Sequence, residues 1–197
     1  MQKNEITLEK FRQLMAEGVY VEAGAEIFEA FHKYSQEALK ITAEINNKYN
    51  TPEQIRFLFS KLTASEIDET FRLFPPFYTD CGKNIKIGKN VFINACCRFQ
   101  DQGSIFIGDG ALIGHNVTIA TLNHDYNPAK RQNIKPCPVI IGKNVWIGSD
   151  STILPGVTIG DGTIIGAGSV VTKSVSSNCI AVGNPARVIK KISVLED

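Results

Sequence analysis

Three histidines, His32, His115 and His124, are the side chains best suited to moving a proton near neutral pH in this 197-residue chain. His32 lies beside Phe31 in a segment of helical spacing and reads as a packing or surface residue. His115 follows Ile113-Gly114 at a corner of a regular repeat, where side chains point outward. His124 falls in Thr121-Leu122-Asn123-His124-Asp125, where that repeat breaks into a loop. Loops braced by a rigid scaffold carry a large share of functional groups. His124 therefore reads either as a general base or as a solvated loop histidine. A metal site is not expected. His115 and His124 have no third histidine beside them in the repeat region, and the five cysteines (Cys81, Cys96, Cys97, Cys137, Cys179) show no CxxC pair. There is no phosphate-binding P-loop or dinucleotide fingerprint, because the glycines keep a six-residue beat.

That beat describes the scaffold that must position His124. Ile141, Ile147, Ile153, Ile159, Ile165 and Val171 are spaced by six, and Gly142, Gly148, Gly160 and Gly166 follow four of them. Two residues before each stands a small or β-branched residue: Val139, Val145, Ser151, Val157, Thr163 or Ser169. Ile87, Ile93 and Phe99, then Ile107, Ile113 and Ile119, carry the same period, with two residues inserted at Gln102-Gly103. A period of six is neither helix nor ordinary strand; it is the flat side of a solenoid coil. One aliphatic per side is expected to point inward, with tight corners after it that favour Gly and Asn, often at φ > 0. Twelve units, or four coils at three units each, are expected from about residue 84. An excursion loop is expected near 122–138.

Residues 1–75 are different material. Leu8, Phe11, Leu14 and Met15, then Ile27, Phe28, Phe31 and Tyr34, then Leu39, Ile41, Ile45 and Tyr49 recur at helical spacing. Thr51-Pro52-Glu53 reads as a helix start, Ile55, Leu58, Phe59 and Leu62 as one face, and Ser65 as the start of another with Ile67 and Phe71. The expected plan is a helical segment over 1–75 and a β-helical domain over 76–197. The helices are expected to cap the open end of the stack, to line an acceptor pocket, or both. The net charge of +1 argues against a nucleic-acid or membrane-surface partner. There is no run of 18 apolar residues, and the polar start MQKNEITLEKFRQ lacks a signal core, so a cytoplasmic location with free thiols is expected. Cys96 and Cys97 are adjacent, so at most one points inward.

Four stretches carry a resemblance. They are Pro75-Pro76-Phe77-Tyr78-Thr79-Asp80-Cys81-Gly82-Lys83-Asn84-Ile85, Asn116-Val117-Thr118-Ile119 running on to His124, Ile141-Gly142-Lys143-Asn144-Val145-Trp146-Ile147-Gly148-Ser149, and Gly183-Asn184-Pro185-Ala186-Arg187-Val188. The chain resembles the hexapeptide-repeat acyltransferases, and more narrowly the maltose and galactoside O-acetyltransferase group. The resemblance implies a left-handed parallel β-helix, a homotrimer with active sites between subunits, and acetyl transfer from acetyl-CoA to a hydroxyl. By position it implies His124 as general base, Asn94 as the residue that positions the acceptor, and Ser149 as the backbone N–H that steadies the oxyanion. It also implies a CoA groove along Trp146, Ser149, Ala167, Thr172, Lys173 and Arg187, with the last two pairing phosphates. Read without the resemblance, Ala167 is a corner residue, Lys173 and Arg187 are solvated charges, and Trp146 is interface packing. Two positions depart from the family pattern. Tyr20 is followed by Val21-Glu22-Ala23-Gly24-Ala25 with no Asp-Pro, leaving Glu22 as a possible substitute for the acid that contacts the sugar, and the family's paired acids read Asp101-Gln102. The leading expectation is an O-acetyltransferase acting on a sugar or glycoside. The alternatives are an acetyltransferase for an amine or xenobiotic, or a non-enzymatic β-helix that binds or scaffolds.

Overall fold

A computed structural model describes residues 6–193. Residues 1–5 and 194–197, which open the expected helical segment and close the expected β-helical one, lie outside the described residues. Three helices come first. In α1 (Leu8–Ala16), Thr7 caps the first turn by accepting from Lys10 N, and Phe11 and Met15 are buried. Helix α2 (Ile27–Asn46) buries Ile27, Phe31, Tyr34, Ala38 and Ile45 along one stripe. Helix α3 (Pro52–Thr63) opens on a full capping box between Thr51 and Gln54 and buries Ile55, Leu58, Phe59 and Leu62. The expected helical face from Ser65 to Phe71 does not form. Ala64 turns left-handed (φ 46°) and closes α3, and the Asp68 carboxylate then accepts from Thr70 N at 3.0 Å, holding the next residues in a turn.

Two cations secure this end. The Lys83 ammonium, nearly buried, donates to the carbonyls of Lys61 (3.2 Å) and Leu62 (3.1 Å) in the last turn of α3 and pairs with Glu37 at 3.3 Å. Arg12 donates to the carbonyls of Lys83 (2.8 Å) and Thr63 (2.6 Å). Both meet the negative end of the helix and satisfy carbonyls that have no partner within it.

The solenoid follows as three faces of stacked parallel strands. The first face carries Arg72–Leu73, Phe92–Ile93, Leu112–Ile113, Trp146–Ile147, Ile164–Ile165 and Cys179–Val182, and ends on the antiparallel strand Arg187–Lys191. The second carries Phe77–Thr79, Cys97–Gln100, Thr118–Ala120, Thr152–Ile153 and Val170–Val171. The third carries Ile85–Ile87, Ile105–Ile107, Val139–Ile141 and Thr158–Ile159. The coils start at Arg72, ahead of residue 84, and the first face has six levels where four coils were expected. The first coil turns through Phe74-Pro75-Pro76 and Asp80–Asn84, so it lacks the aliphatic-Gly steps by which the beat is read. Its second turn is built on a buried carboxylate instead. Asp101 accepts from Thr79 Oγ1 (2.6 Å), Cys81 N (2.9 Å) and Asn84 N (3.2 Å).

Two positions per unit point inward, not one. Val145, Ser151, Val157, Thr163 and Ser169 are buried with the isoleucines two residues on. The buried hydroxyls are satisfied by carbonyls, Ser151 Oγ by Gly166 at 3.1 Å and Thr163 Oγ1 by Ser176 at 2.8 Å. The glycine immediately after each isoleucine also serves another purpose than expected. Left-handed backbone falls two residues later, at Gly110, Asn116, Asn144, Asp150, Gly162 and Gly168. At Gly148 a Cβ would lie 2.5 Å from Ala167 N, and at Gly114 2.6 Å from Ser149 N, so these glycines let successive coils touch.

Phe59 of α3 packs on Phe71 and Phe77 at ring distances of 4.7 and 5.5 Å, and Phe77 continues to Phe99 at 5.1 Å. Ala38, Ile45, Ile55, Phe59 and Leu62 thereby join the coil core. Helix α1 instead packs with Val21, Cys81, Ile134 and Leu122, beside the excursion loop. All five cysteines are free; Cys97 points inward, where burial pushes its thiol up to about 11, and Cys96 takes the left-handed turn (φ 67°).

Candidate active site

The excursion between the second and third faces is a hairpin. Leu122–His124 pairs antiparallel with Ile134–Pro136, His124 opposite Ile134. Asn127 caps a short turn, Pro128–Lys130, at its tip. Nδ1 of His124 lies 2.8 Å from the carbonyl of Arg131. A carbonyl only accepts, so Nδ1 carries the proton in this contact. Neutral His124 therefore presents Nε2 as a bare lone pair. The ring is exposed, as a base that must meet a substrate has to be.

A second strand-like contact braces the hairpin from outside. Val21 bridges Ile134 in both directions, Val21 N to Ile134 O at 2.9 Å and Ile134 N to Val21 O at 3.0 Å. On either side the contact is polar. The Tyr20 hydroxyl donates to Asp125, accepts from Asn133 Nδ2 at 2.8 Å, and Asn133 Oδ1 accepts from Ala23 N at 2.8 Å. The Asp125 carboxylate, as acceptor, holds the Tyr20 phenol above its ordinary range. The Tyr20 hydroxyl, and then Asn127 N, hold Asp125 below the ordinary carboxylate range. Residues 19–25 thus wall one side of the His124 hairpin, with Glu22 exposed among them. Of this clasp, Arg131 and Asn133 carry no signal in the sequence, because polar loop residues reveal their partners only when the loop folds.

The remaining expected site residues fall on two edges of the prism. Asn94, Ser149 and Ala167 stack on the edge between the first and second faces, with Phe74 above Asn94. His115 shares that edge, exposed as expected, its N–H donating to Ser149 Oγ at 3.2 Å. Asn94 is half-buried, its Oδ1 accepting from Ala95 N at 3.0 Å. The backbone N–H groups of Ser149 and Ala167 have no acceptor among the described residues. His124, Thr172 and Lys173 belong to the next edge, between the second and third faces. Arg187 starts the terminal strand on the first face, and Trp146, about half exposed, lies between Leu112 and Ile164 on its outer surface. One side of the prism is about five residues long, on the order of 16 Å at strand rise. A single chain therefore does not bring His124 to Asn94 and Ser149. Among the described residues no helix is long and apolar enough to cross a membrane.

Comparison with known proteins agrees with this architecture. Residues 138–173 match the model of the bacterial transferase hexapeptide (six repeats) family. The galactoside O-acetyltransferase of Lactococcus lactis is 37% identical over 94% of this chain and 89% of its own length. The crystal structure of a maltose O-acetyltransferase from Clostridium difficile superposes with a TM-score of 0.85 at 37% identity, covering 97% of this chain and all of that one. A galactoside acetyltransferase in complex with coenzyme A superposes with a TM-score of 0.79 at 32% identity over 93% of this chain and 91% of that one. With full-length relatives of this identity and the same coils, the chain belongs to the hexapeptide-repeat acetyltransferases, in the galactoside and maltose O-acetyltransferase group.

Proposed function

We propose that the protein transfers the acetyl group of acetyl-CoA to a hydroxyl of a sugar or glycoside, with His124 as general base. The observation that carries this reading is the Nδ1 contact of His124 with the Arg131 carbonyl, which leaves Nε2 free to accept a proton. The acceptor O–H gives its proton to Nε2 as its oxygen bonds to the thioester carbonyl carbon. The tetrahedral oxyanion is met by the uncommitted N–H of Ser149. The C–S bond then breaks, the sulfur takes the proton back from His124, and the products are the acetyl ester and free CoA. Asn94 orients the acceptor. Small residues at Ser149 and Ala167 leave the coil edge open to the pantetheine arm. The exposed Lys173 and Arg187 suit the phosphates.

Two copies supply one site. His124, Thr172 and Lys173 from one chain face Asn94, Ser149 and Ala167 from its neighbour, and three such contacts close a homotrimer. An outward ladder of Phe92, Leu112, Trp146 and Ile164 on the first face, in strand register, supports such packing. The His124→Ala variant tests the chemistry. Release of CoA thiol with a panel of glycosides is expected to fall by about a hundredfold or more, while acetyl-CoA binding by calorimetry is retained. Turnover at the wild-type rate refutes the assignment of His124.

A further inference from the structure

We propose that a cavity between the α2–α3 loop and the first coil is an acceptor subsite for an apolar aglycone. The preferred acceptor is then an aryl or alkyl glycoside rather than a free sugar. This rests on the acetyl-transfer reading above and specifies its substrate. The cavity has a volume of about 370 Å³ and is lined by Tyr49, Pro52, Ile55, Phe71, Leu73 and Phe74 among others. That lies within the range of about 300–1,000 Å³ typical of small-molecule sites. Its floor is core: Phe71, Leu73 and Ile55 are buried. Its rim is aromatic and open, with Tyr49 87% and Phe74 58% exposed. The rim guanidinium of Arg72 is occupied by the carbonyls of Glu69 (2.6 Å) and Phe71 (2.9 Å). The wall therefore suits a neutral carbon-rich group.

Position links the cavity to the site. Arg72 pairs with Phe92 and Leu73 with Ile93, so the next residue, Phe74, stands directly over Asn94, one coil away at about 4.8 Å. Phe74 N donates to Ile93 O at 3.0 Å, which fixes that register. The Phe74 ring meets Phe92 edge-on at 5.2 Å, extending the apolar wall down to the level of Asn94. A sugar held at Asn94 has its substituent beside this wall. An apolar substituent entering the cavity removes both its own surface and the exposed rings from water.

The test compares methyl and phenyl glycosides of one sugar as acceptors for the full-length protein, following release of CoA thiol. The expected kcat/KM for the phenyl glycoside exceeds that for the methyl glycoside by about tenfold. Tyr49→Ala and Phe74→Ala each bring that ratio toward one. Tyr49 projects from a loop into solvent, so its variant keeps the fold even if the Phe74 variant does not. Equal kcat/KM for the two acceptors in the wild type overturns the subsite while leaving acetyl transfer standing. A ratio unchanged in the Tyr49 variant, with a change in oligomeric mass by light scattering, gives the cavity to a neighbouring copy and also overturns it. Failure of every glycoside to release thiol overturns the transfer reading and this one together.

Discussion

Replacing Gly148 and Gly168 by alanine, one at a time, separates two reasons for glycine in the beat. Gly148 sits where coils touch: its Cβ would lie 2.5 Å from Ala167 N, 2.8 Å from Ala167 Cα and 2.9 Å from Ile165 O. These are backbone atoms that cannot swing aside. To reach the 3.4 Å of ordinary contact the two coils must part by about 0.9 Å at that corner. The bonds that close it, Gly148 N to Ile165 O and Gly168 N to Ser149 O, both 2.8 Å, would stretch beyond hydrogen-bonding range. Overpacking of this kind costs about 1–3 kcal/mol, and each weakened bond about 1 kcal/mol. A destabilisation of about 3 kcal/mol is expected for Gly148→Ala. Gly168 has φ +68° and nothing within 4 Å of its would-be Cβ. Its alanine meets only the left-handed penalty of about 1–2 kcal/mol, partly offset by a stiffer unfolded chain. About 1 kcal/mol is expected. Urea unfolding, with the transition checked by two probes, measures both. A Gly168→Ala cost equal to or above that of Gly148→Ala refutes the close-contact account. Because Ser149 and Ala167 form this same corner, Gly148→Ala is also expected to weaken acetyl-CoA binding, whereas Gly168→Ala affects it less.

Other expectations follow from single contacts. Lys83→Met leaves two carbonyls of α3 without their donor and is expected to cost about 2 kcal/mol in urea unfolding. Asp101→Asn turns an amide N–H₂ toward at least one of the donors from Thr79, Cys81 and Asn84 and is expected to cost about 2–3 kcal/mol by the same assay. Tyr20→Phe removes the hydroxyl that holds Asp125 and Asn133 and is expected to lower turnover about tenfold through a displaced His124 hairpin, with the global melting temperature little changed. The same clasp sets a pH window. Asp125 is held low, so its contribution is present above the ordinary carboxylate pKa and lost as pH falls through its folded value. Tyr20 is held high, so its contribution is lost only as pH rises through its folded value, above 10. Hydrogen exchange of the 122–136 hairpin is therefore expected to show constant protection across neutral pH once corrected for the intrinsic rate. Opening of the clasp between pH 6 and 8 contradicts the clasp.

The coils were legible because their sequence is redundant. Six in-phase aliphatics from Ile141 to Val171 report one backbone repeat, and each confirms the rest. The first coil was read short because its turns rest on single solutions: Pro75-Pro76 at one corner and the buried Asp101 carboxylate at another, neither of which recurs. The 65–71 segment has helical spacing, but Ala64 and Asp68 give its backbone local turns that a periodicity count does not weigh. His124 was placed in a loop correctly, since a break in a strict beat marks a loop without any knowledge of its shape. Its tautomer was not legible, because that depends on the Arg131 carbonyl returning across the hairpin.

The division of the candidate residues between two edges has a consequence for how such a site arises. On one edge the uncommitted N–H groups of Ser149 and Ala167 come from the coil geometry itself: each sits under a glycine of the coil above, and every coil repeats the arrangement. The scaffold therefore supplies a row of donors whether or not catalysis uses them. On the other edge nothing comes free. The hairpin must be inserted, paired strand to strand, and held by Val21, Tyr20 and Asn133 from outside the solenoid. Changes in the chain before residue 26 should then alter acceptor choice and turnover without disturbing the CoA groove. Exchanging residues 19–25 for the corresponding segment of the Lactococcus lactis relative is expected to shift the acceptor profile while leaving acetyl-CoA affinity within about twofold. Loss of acetyl-CoA affinity with an unchanged acceptor profile would place the segment at the wrong end of the site.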